Sequence, residues 1–153
     1  MPIDIGLTDE QRSKSADAVR KVLGETYALY SKTHSYHWNV TGPRFQALHG
    51  MFMEQYTELW AALDELAERL RALDFYAPIS AEEMYSYASI RPDNGVPDAE
   101  AMVENLQKGH EAVARAAKEG VSAVSDFDDV TADMLTQRAT IADKTAWMLR
   151  ASL

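Results

Sequence analysis

From Phe45 to Leu73 the chain carries apolar side chains at helical spacing without a break: Phe45, Leu48, Phe52, Tyr56, Leu59, Leu63, Leu66, Leu70 and Leu73. Steps of three and four residues hold all nine on one side of a helix of about eight turns. A stripe that long needs partners of similar length. No stretch alternates with period two, so the chain offers no sheet to cover it. The constraint is therefore an all-α bundle. Its 153 residues read as a single domain, 1–153, long enough to bury a proper core.

Other segments supply the partners. "TDEQ" reads as a helix start, with Thr8 as cap and Gln11 placed for a capping box, and Val19, Val22, Leu23, Tyr27 and Tyr30 follow at helical spacing toward His37. Gly42-Pro43 ends that helix and opens the next, which runs from about Pro43 to Leu73. Residues 74–97 hold three of the five prolines, and within them "SAEEMYSYASI" reads as a short helix capped by Ser80. A third long helix starts near Asp98 and runs to Gly120 or a little beyond; "DFDDVTAD" breaks the chain, and the fourth spans Thr131 to Leu153. Two helices, a long crossover and two more helices give the connectivity of a ferritin-like four-helix bundle, with a short extra helix in the crossover between helices 2 and 3.

Charge and composition narrow the function. Lys and Arg number 15 against 24 Asp and Glu, a net charge of −9. The first eleven residues carry no Lys or Arg, and the end "RASL" has one Arg, so strong direct DNA binding is not expected. An acidic surface suits attraction of cations. There is no cysteine, hence no disulfide or thiolate metal site. No apolar run is long enough to span a bilayer, and "MPIDIGLTDEQ" lacks a signal-peptide pattern; a cytoplasmic protein is expected.

Three of the four histidines fall in "HSYHWNVTGPRFQALHGMFMEQY". His37 and His49 lie symmetrically about Pro43, so antiparallel packing at that corner brings their rings together. His34 is expected to orient or pack, and His110 to be exposed. A metal site inside such a bundle uses Glu-x-x-His. The residues three before the histidines are Ser31, His34, Gln46 and Gln107, so that site is absent. Carboxylates at i, i+4 do occur on helix 2, Asp64 and Glu68, but they lie about 22 and 28 Å along it from His49.

A two-fold dimer removes the difficulty. With helix 2 antiparallel to its own copy, a dyad between Glu58 and Leu59 sets His49 opposite Glu68 and position 53 opposite Asp64. The same dyad sets Tyr56 against Ala61 and Trp60 against Thr57, large against small. Each dimer then holds two mixed sites, histidines from one chain and carboxylates from the other. Nitrogen and oxygen ligands with open positions suit iron, with zinc or manganese as substitutes.

"HWNVTGPRFQALH" followed by "LDELAERLRAL", with "DDVTADML" and "ADKTAWML" near the end, resembles the Dps miniferritins from about Thr8 to Leu153. The resemblance implies a twelve-subunit shell that oxidises Fe(II), preferably with hydrogen peroxide, at dimer interfaces and stores ferric mineral, protecting against oxidative damage. It makes His37, Asp64 and Glu68 ligands of the better-occupied iron position and places His49 near the second. Trp38 becomes the tryptophan beside the site that helps to quench radicals. Asp129 and Asp133 become carboxylates of an iron-entry pore, with Asp126 and Asp128 adding to its field; Asp128 or Asp129 alternatively serves a helix N-terminus.

Two positions depart from the family pattern. Where an acid commonly follows the second histidine by four residues stands Met53, a poor ligand for hard iron. Glu54 is turned by about 100° from that position and is no ready substitute. The second metal position is therefore expected to be weakened. The glycine usual after the second helix is replaced by Asp74, which leaves that helix end open. The alternative functions are a nucleoid-binding shell, or a structural cage with ferroxidase activity impaired by Met53.

Overall fold

The computed structural model describes residues 2–153. It contains α1 (Asp9–Asn39), α2 (Phe45–Ala72), α3 (Ala81–Ser86), α4 (Ala99–Val124) and α5 (Asp129–Arg150), and no strand among the described residues. The hairpins α1/α2 and α4/α5 pack together mainly through α1 and α4, and the crossover carries α3 against α1. This is the all-α bundle that the apolar stripes require, two hairpins joined by a long crossover, the connectivity expected from the order of the helices.

Helix ends follow local chemistry. Thr8 accepts from the amide of Gln11 while Gln11 returns a bond to the Thr8 amide, a complete capping box. Ser80 and Asp98 cap α3 and α4 through side-chain oxygens. Helix 2 begins two residues later than expected, at Phe45, and Leu73 is its C-cap rather than its last residue. The third long helix of the sequence reading, α4, runs on to Val124, and the fourth, α5, occupies Asp129–Arg150, two residues earlier at its start than the sequence pattern suggests. The reason for that early start is Asp128, whose carboxylate caps the Thr131 amide.

Asp74 closes α2 in place of glycine. Its φ is +67°, in the left-handed region, while its own amide bonds to Arg71 O and that of Phe75 to Leu70 O. Those two bonds make a Schellman turn, and aspartate is one of the few residues with a side chain that visits this region readily.

The interior is two apolar clusters along the bundle. One gathers Leu29, Tyr36, Leu48, Phe52, Leu59, Leu106 and Leu149; the other gathers Val19, Leu23, Leu66, Leu70, Ala117 and Leu135. From Leu48 onward the helix 2 stripe is buried at Leu48, Phe52, Leu59, Leu66, Leu70 and Leu73, while Tyr56 and Leu63 are half-buried. Buried polar groups also enter the bundle. Arg138 of α5 donates two bonds to Glu58 of α2, at 2.7 and 2.6 Å. His110 of α4, expected at the surface, is buried instead. Its charged neighbours in sequence, Lys108 and Glu111, suggested an exposed face, but α4 turns position 110 inward between buried Leu106 and Val113. Burial, then the charge of Arg138, lowers its pKa to about 3, so it is neutral at physiological pH.

Candidate metal centre

Gly42, at φ +111°, turns the chain so that the end of α1 faces the start of α2. His37 and His49 meet across this corner with ring centroids 3.8 Å apart and planes 15° from parallel. Each Nδ1–H donates to the other residue's main-chain carbonyl oxygen, both at 2.7 Å. A carbonyl can only accept, so Nδ1 carries the proton in both neutral rings and Nε2 holds the lone pair. Both imidazoles are thereby fixed in orientation and tautomer as metal ligands usually are.

The stacking also limits how many ions they serve. An imidazole binds a metal in its own ring plane, at about 2.0–2.1 Å for zinc. Two nearly parallel planes this far apart share no point at bonding distance, so His37 and His49 cannot grip one ion. They fit two neighbouring positions.

Aromatic side chains surround the pair. Tyr56 lies 5.2 Å from His37 by ring centroids, edge-on, and stacks on His34 at 3.9 Å. His34 is a packing residue as expected, with Trp38 at 4.2 Å and its Nδ1 2.9 Å from the Tyr30 hydroxyl. Burial and the neighbouring His37 lower the His34 pKa. Phe45 stacks against His49 at 5.0 Å. Tyr30 and Tyr56 were legible in sequence only as apolar stripe positions. The signal of their other role is the run Tyr30, His34, His37 and Trp38, whose i, i+4 and i, i+3 steps put four rings on one side of α1.

Asp64 and Glu68 are exposed on α2, and they do not join the histidines within one chain; among the described residues no three His, Asp or Glu side chains converge. The surface along the helices is unusually apolar for one that faces water. Trp38 is 65% exposed, Trp60 63% and Met53 51%, with Phe45 beside them. Trp60 and Met53 share one side of α2, next to His49. Met53 stands one turn beyond His49, and its neighbour Glu54 is exposed too.

The acids near the start of α5 divide. Asp129, Asp133 and Asp126 are exposed, and Asp133 accepts a bond from Gln137. Asp128 does not belong with them. It is buried, bonded to Ser15 at 2.6 Å, to the hydroxyl of Thr131 at 2.6 Å and to Arg69 at 3.3 Å, so its charge holds helices together rather than facing a pore. Burial raises its pKa, but the bonds from Ser15 and Thr131 and the charge of Arg69 outweigh that, and the net shift is downward.

Comparison with known proteins is consistent along the chain. The ferritin-like domain profile matches residues 16–153. A low-temperature-induced protein of Nostoc sp. is 40% identical over 151 residues, covering 97% of this chain and 84% of that protein. The DNA protection during starvation protein 2 of Bacillus anthracis is 36% identical over 138 residues, covering 90% of this chain and 94% of its own. Among solved structures, Vibrio cholerae Dps, described as a member of a superfamily of ferritin-like diiron-carboxylate proteins, superposes with TM-score 0.92 at 28% identity, covering 99% of this chain and 96% of that one. Bacillus brevis Dps gives TM-score 0.89 at 30% identity, covering 95% and 98%.

Proposed function

The chain belongs to the ferritin-like family, among the Dps miniferritins, and from that premise we propose that it is a ferroxidase whose iron sites form only between two subunits. The observation that carries the reading is the reciprocal histidine clamp, which leaves two Nε2 lone pairs ready for two ferrous ions. His37 with Asp64 and Glu68 of the partner subunit holds the first; His49 faces the second. The exposed apolar flank of Trp38, Met53 and Trp60 supplies surface for the two-fold contact.

Iron is the substrate. Two ferrous ions give one electron each to hydrogen peroxide, which with two protons becomes two waters, so the one-electron step to hydroxyl radical is bypassed. The two histidines hold the ions side by side, and the carboxylates stabilise the ferric charge that develops. Trp38, packed against His34 with its ring tilted by 36°, stands next to this chemistry as a trap for stray oxidising equivalents. Asp129 and Asp133 draw Fe(II) inward through a negative pore of a twelve-subunit shell that keeps the ferric mineral. Zinc or manganese would occupy the same ligands without this turnover. Each chain carries a net charge of −9, so the shell, placed in the cytoplasm, is not expected to bind DNA strongly and directly.

Stopped-flow oxidation of Fe(II) by peroxide tests the proposal. His37→Ala and Asp64→Asn should each lose most of the fast phase while the shell still assembles. Unchanged rates in both would leave a structural cage.

A further inference from the structure

The aromatic cluster behind the histidines contains one pair that metal binding does not use. Tyr30 and His34 are one helical turn apart on α1, with the phenol oxygen 2.9 Å from Nδ1. Tyr56 lies between this pair and the metal position, stacked on His34 at 3.9 Å and edge-on to His37 at 5.2 Å. Tyr30 itself is 6.4 Å from Tyr56 and 5.4 Å from Trp60 by ring centroids. An unbroken row of π-systems thus joins Tyr30 to the site.

Removing an electron from a phenol makes its O–H strongly acidic, so a tyrosine is oxidised readily only where a base stands ready for the proton. A base must lie within hydrogen-bond reach, about 2.6–3.2 Å. Tyr30 meets that requirement when His34 carries its own proton on Nε2. The need for such a donor comes from Met53. Peroxide reduction takes two electrons, and a second ferrous position without its acid would often be empty when the first is filled.

We propose that Tyr30, hydrogen-bonded to His34, is an auxiliary electron donor that supplies the second electron to peroxide when only one ferrous ion is seated. This rests on the ferroxidase reading above. In the step, Fe(II) loses one electron and Tyr30 loses another through Tyr56. The Tyr30 O–H bond breaks and its proton passes to Nδ1 of His34. The peroxide O–O bond accepts both electrons and, with two protons from solvent, gives two waters. The products are Fe(III), a neutral tyrosyl radical and a protonated His34. A second Fe(II) arriving later returns one electron to Tyr30, the proton moves back from His34, and that ion leaves as Fe(III). Two ferrous ions per peroxide are consumed in all, one after the other.

The test loads the assembled protein without oxygen with one Fe(II) per subunit, mixes it with one equivalent of peroxide, freezes it and records electron paramagnetic resonance. A tyrosyl signal is expected that narrows with ring-deuterated tyrosine, is lost in Tyr30→Phe, weakens in His34→Gln and disappears on adding a second Fe(II). Incorporating 3-fluorotyrosine at position 30 keeps the side chain's shape and should split the signal by fluorine coupling. Oxidation of iron with no radical, or a radical unchanged in Tyr30→Phe and unsplit by fluorine, would overturn the proposal. A parallel arm uses no iron: a photogenerated ruthenium(III) oxidant should place the radical on Tyr30, and more slowly in His34→Gln. If peroxide fails to oxidise the iron, the ferroxidase reading falls, and the ruthenium arm still decides whether Tyr30 and His34 act as a redox pair; a radical placed elsewhere there also counts against it.

Discussion

His37 and His49 each donate Nδ1–H to the other's main-chain carbonyl at 2.7 Å, with their rings stacked 3.8 Å apart. Because the acceptors are backbone atoms, either ring keeps its orienting bond when the other side chain is removed. His49→Ala should therefore abolish the second metal position but weaken binding at the first by less than about tenfold, the lower end of what loss of an outer-shell partner costs. His37→Ala should abolish the first. Anaerobic Co(II) titration, read by d–d absorption, separates the two. In the metal-free protein, imidazole ¹⁵N shifts should report an Nδ1-protonated tautomer at both residues.

Met53 stands one turn beyond His49 on the exposed flank of α2. A carboxylate there would add a hard oxygen to the second position. Met53→Glu should raise the bound iron from about one toward two ions per site and speed the paired oxidation by peroxide. It should also diminish any tyrosyl radical, since the second electron then comes from iron. Equal occupancy in both proteins would show that position 53 does not reach the metal.

Asp128 ties the start of α5 to α1 and α2 through Ser15, Thr131 and Arg69. Asp128→Ala should cost about 2–4 kcal/mol at neutral pH, a lost cap plus partners left partly unpaired. Its folded pKa lies below the ordinary 3.8. The unfolded chain therefore takes up the proton first as pH falls. The carboxylate's stabilisation is complete above that ordinary value and is lost as pH drops through the folded one. Urea unfolding at pH 7 and at successively lower pH, down through the folded pKa, measures both effects, and the difference between Asp128→Asn and the parent should shrink over that descent.

His110 responds over a different range. Its pKa is about 3 when folded against 6.5 ordinarily. Below pH 6.5 the unfolded chain binds a proton that the folded chain refuses, so stability falls with pH toward 3. The slope approaches about 1.4 kcal/mol per pH unit for this one proton. His110→Leu should remove that part of the acid sensitivity while preserving the helical signal. An unchanged slope would mean that the buried ring is protonated after all.

The fold was legible because its causes are local and repetitive. The stripe from Leu48 to Leu73, the Thr8–Gln11 box and the Gly42-Pro43 corner each point to one structure. Pairing of His37 with His49 followed from their symmetry about that corner. What could not be read depends on which way one helix faces another. His110 has charged neighbours in sequence, yet packs inward, and its Nε2 finds no hydrogen-bond partner among the described residues. Asp128 sits among surface acids and differs from them only because Ser15 and Arg69 reach it from two other helices. Asp74 takes a conformation normally given to glycine, which its side chain alone does not announce. The Nδ1–carbonyl bonds were hidden for another reason, since their acceptors are main-chain atoms common to every residue.

In the proposed ferroxidase each iron pocket takes its histidines from one subunit and its carboxylates from another. Co-assembly of His37→Ala chains with Asp64→Asn chains tests this most directly. Each mixed dimer would carry one doubly damaged pocket and one with every ligand intact, so equal mixing should restore about one pocket in four from two nearly inactive parents. Recovery of fast Fe(II) oxidation at about a quarter of the parent amplitude is the predicted result. No recovery, with mixed dimers demonstrated by mass spectrometry, would rule out pockets shared between subunits.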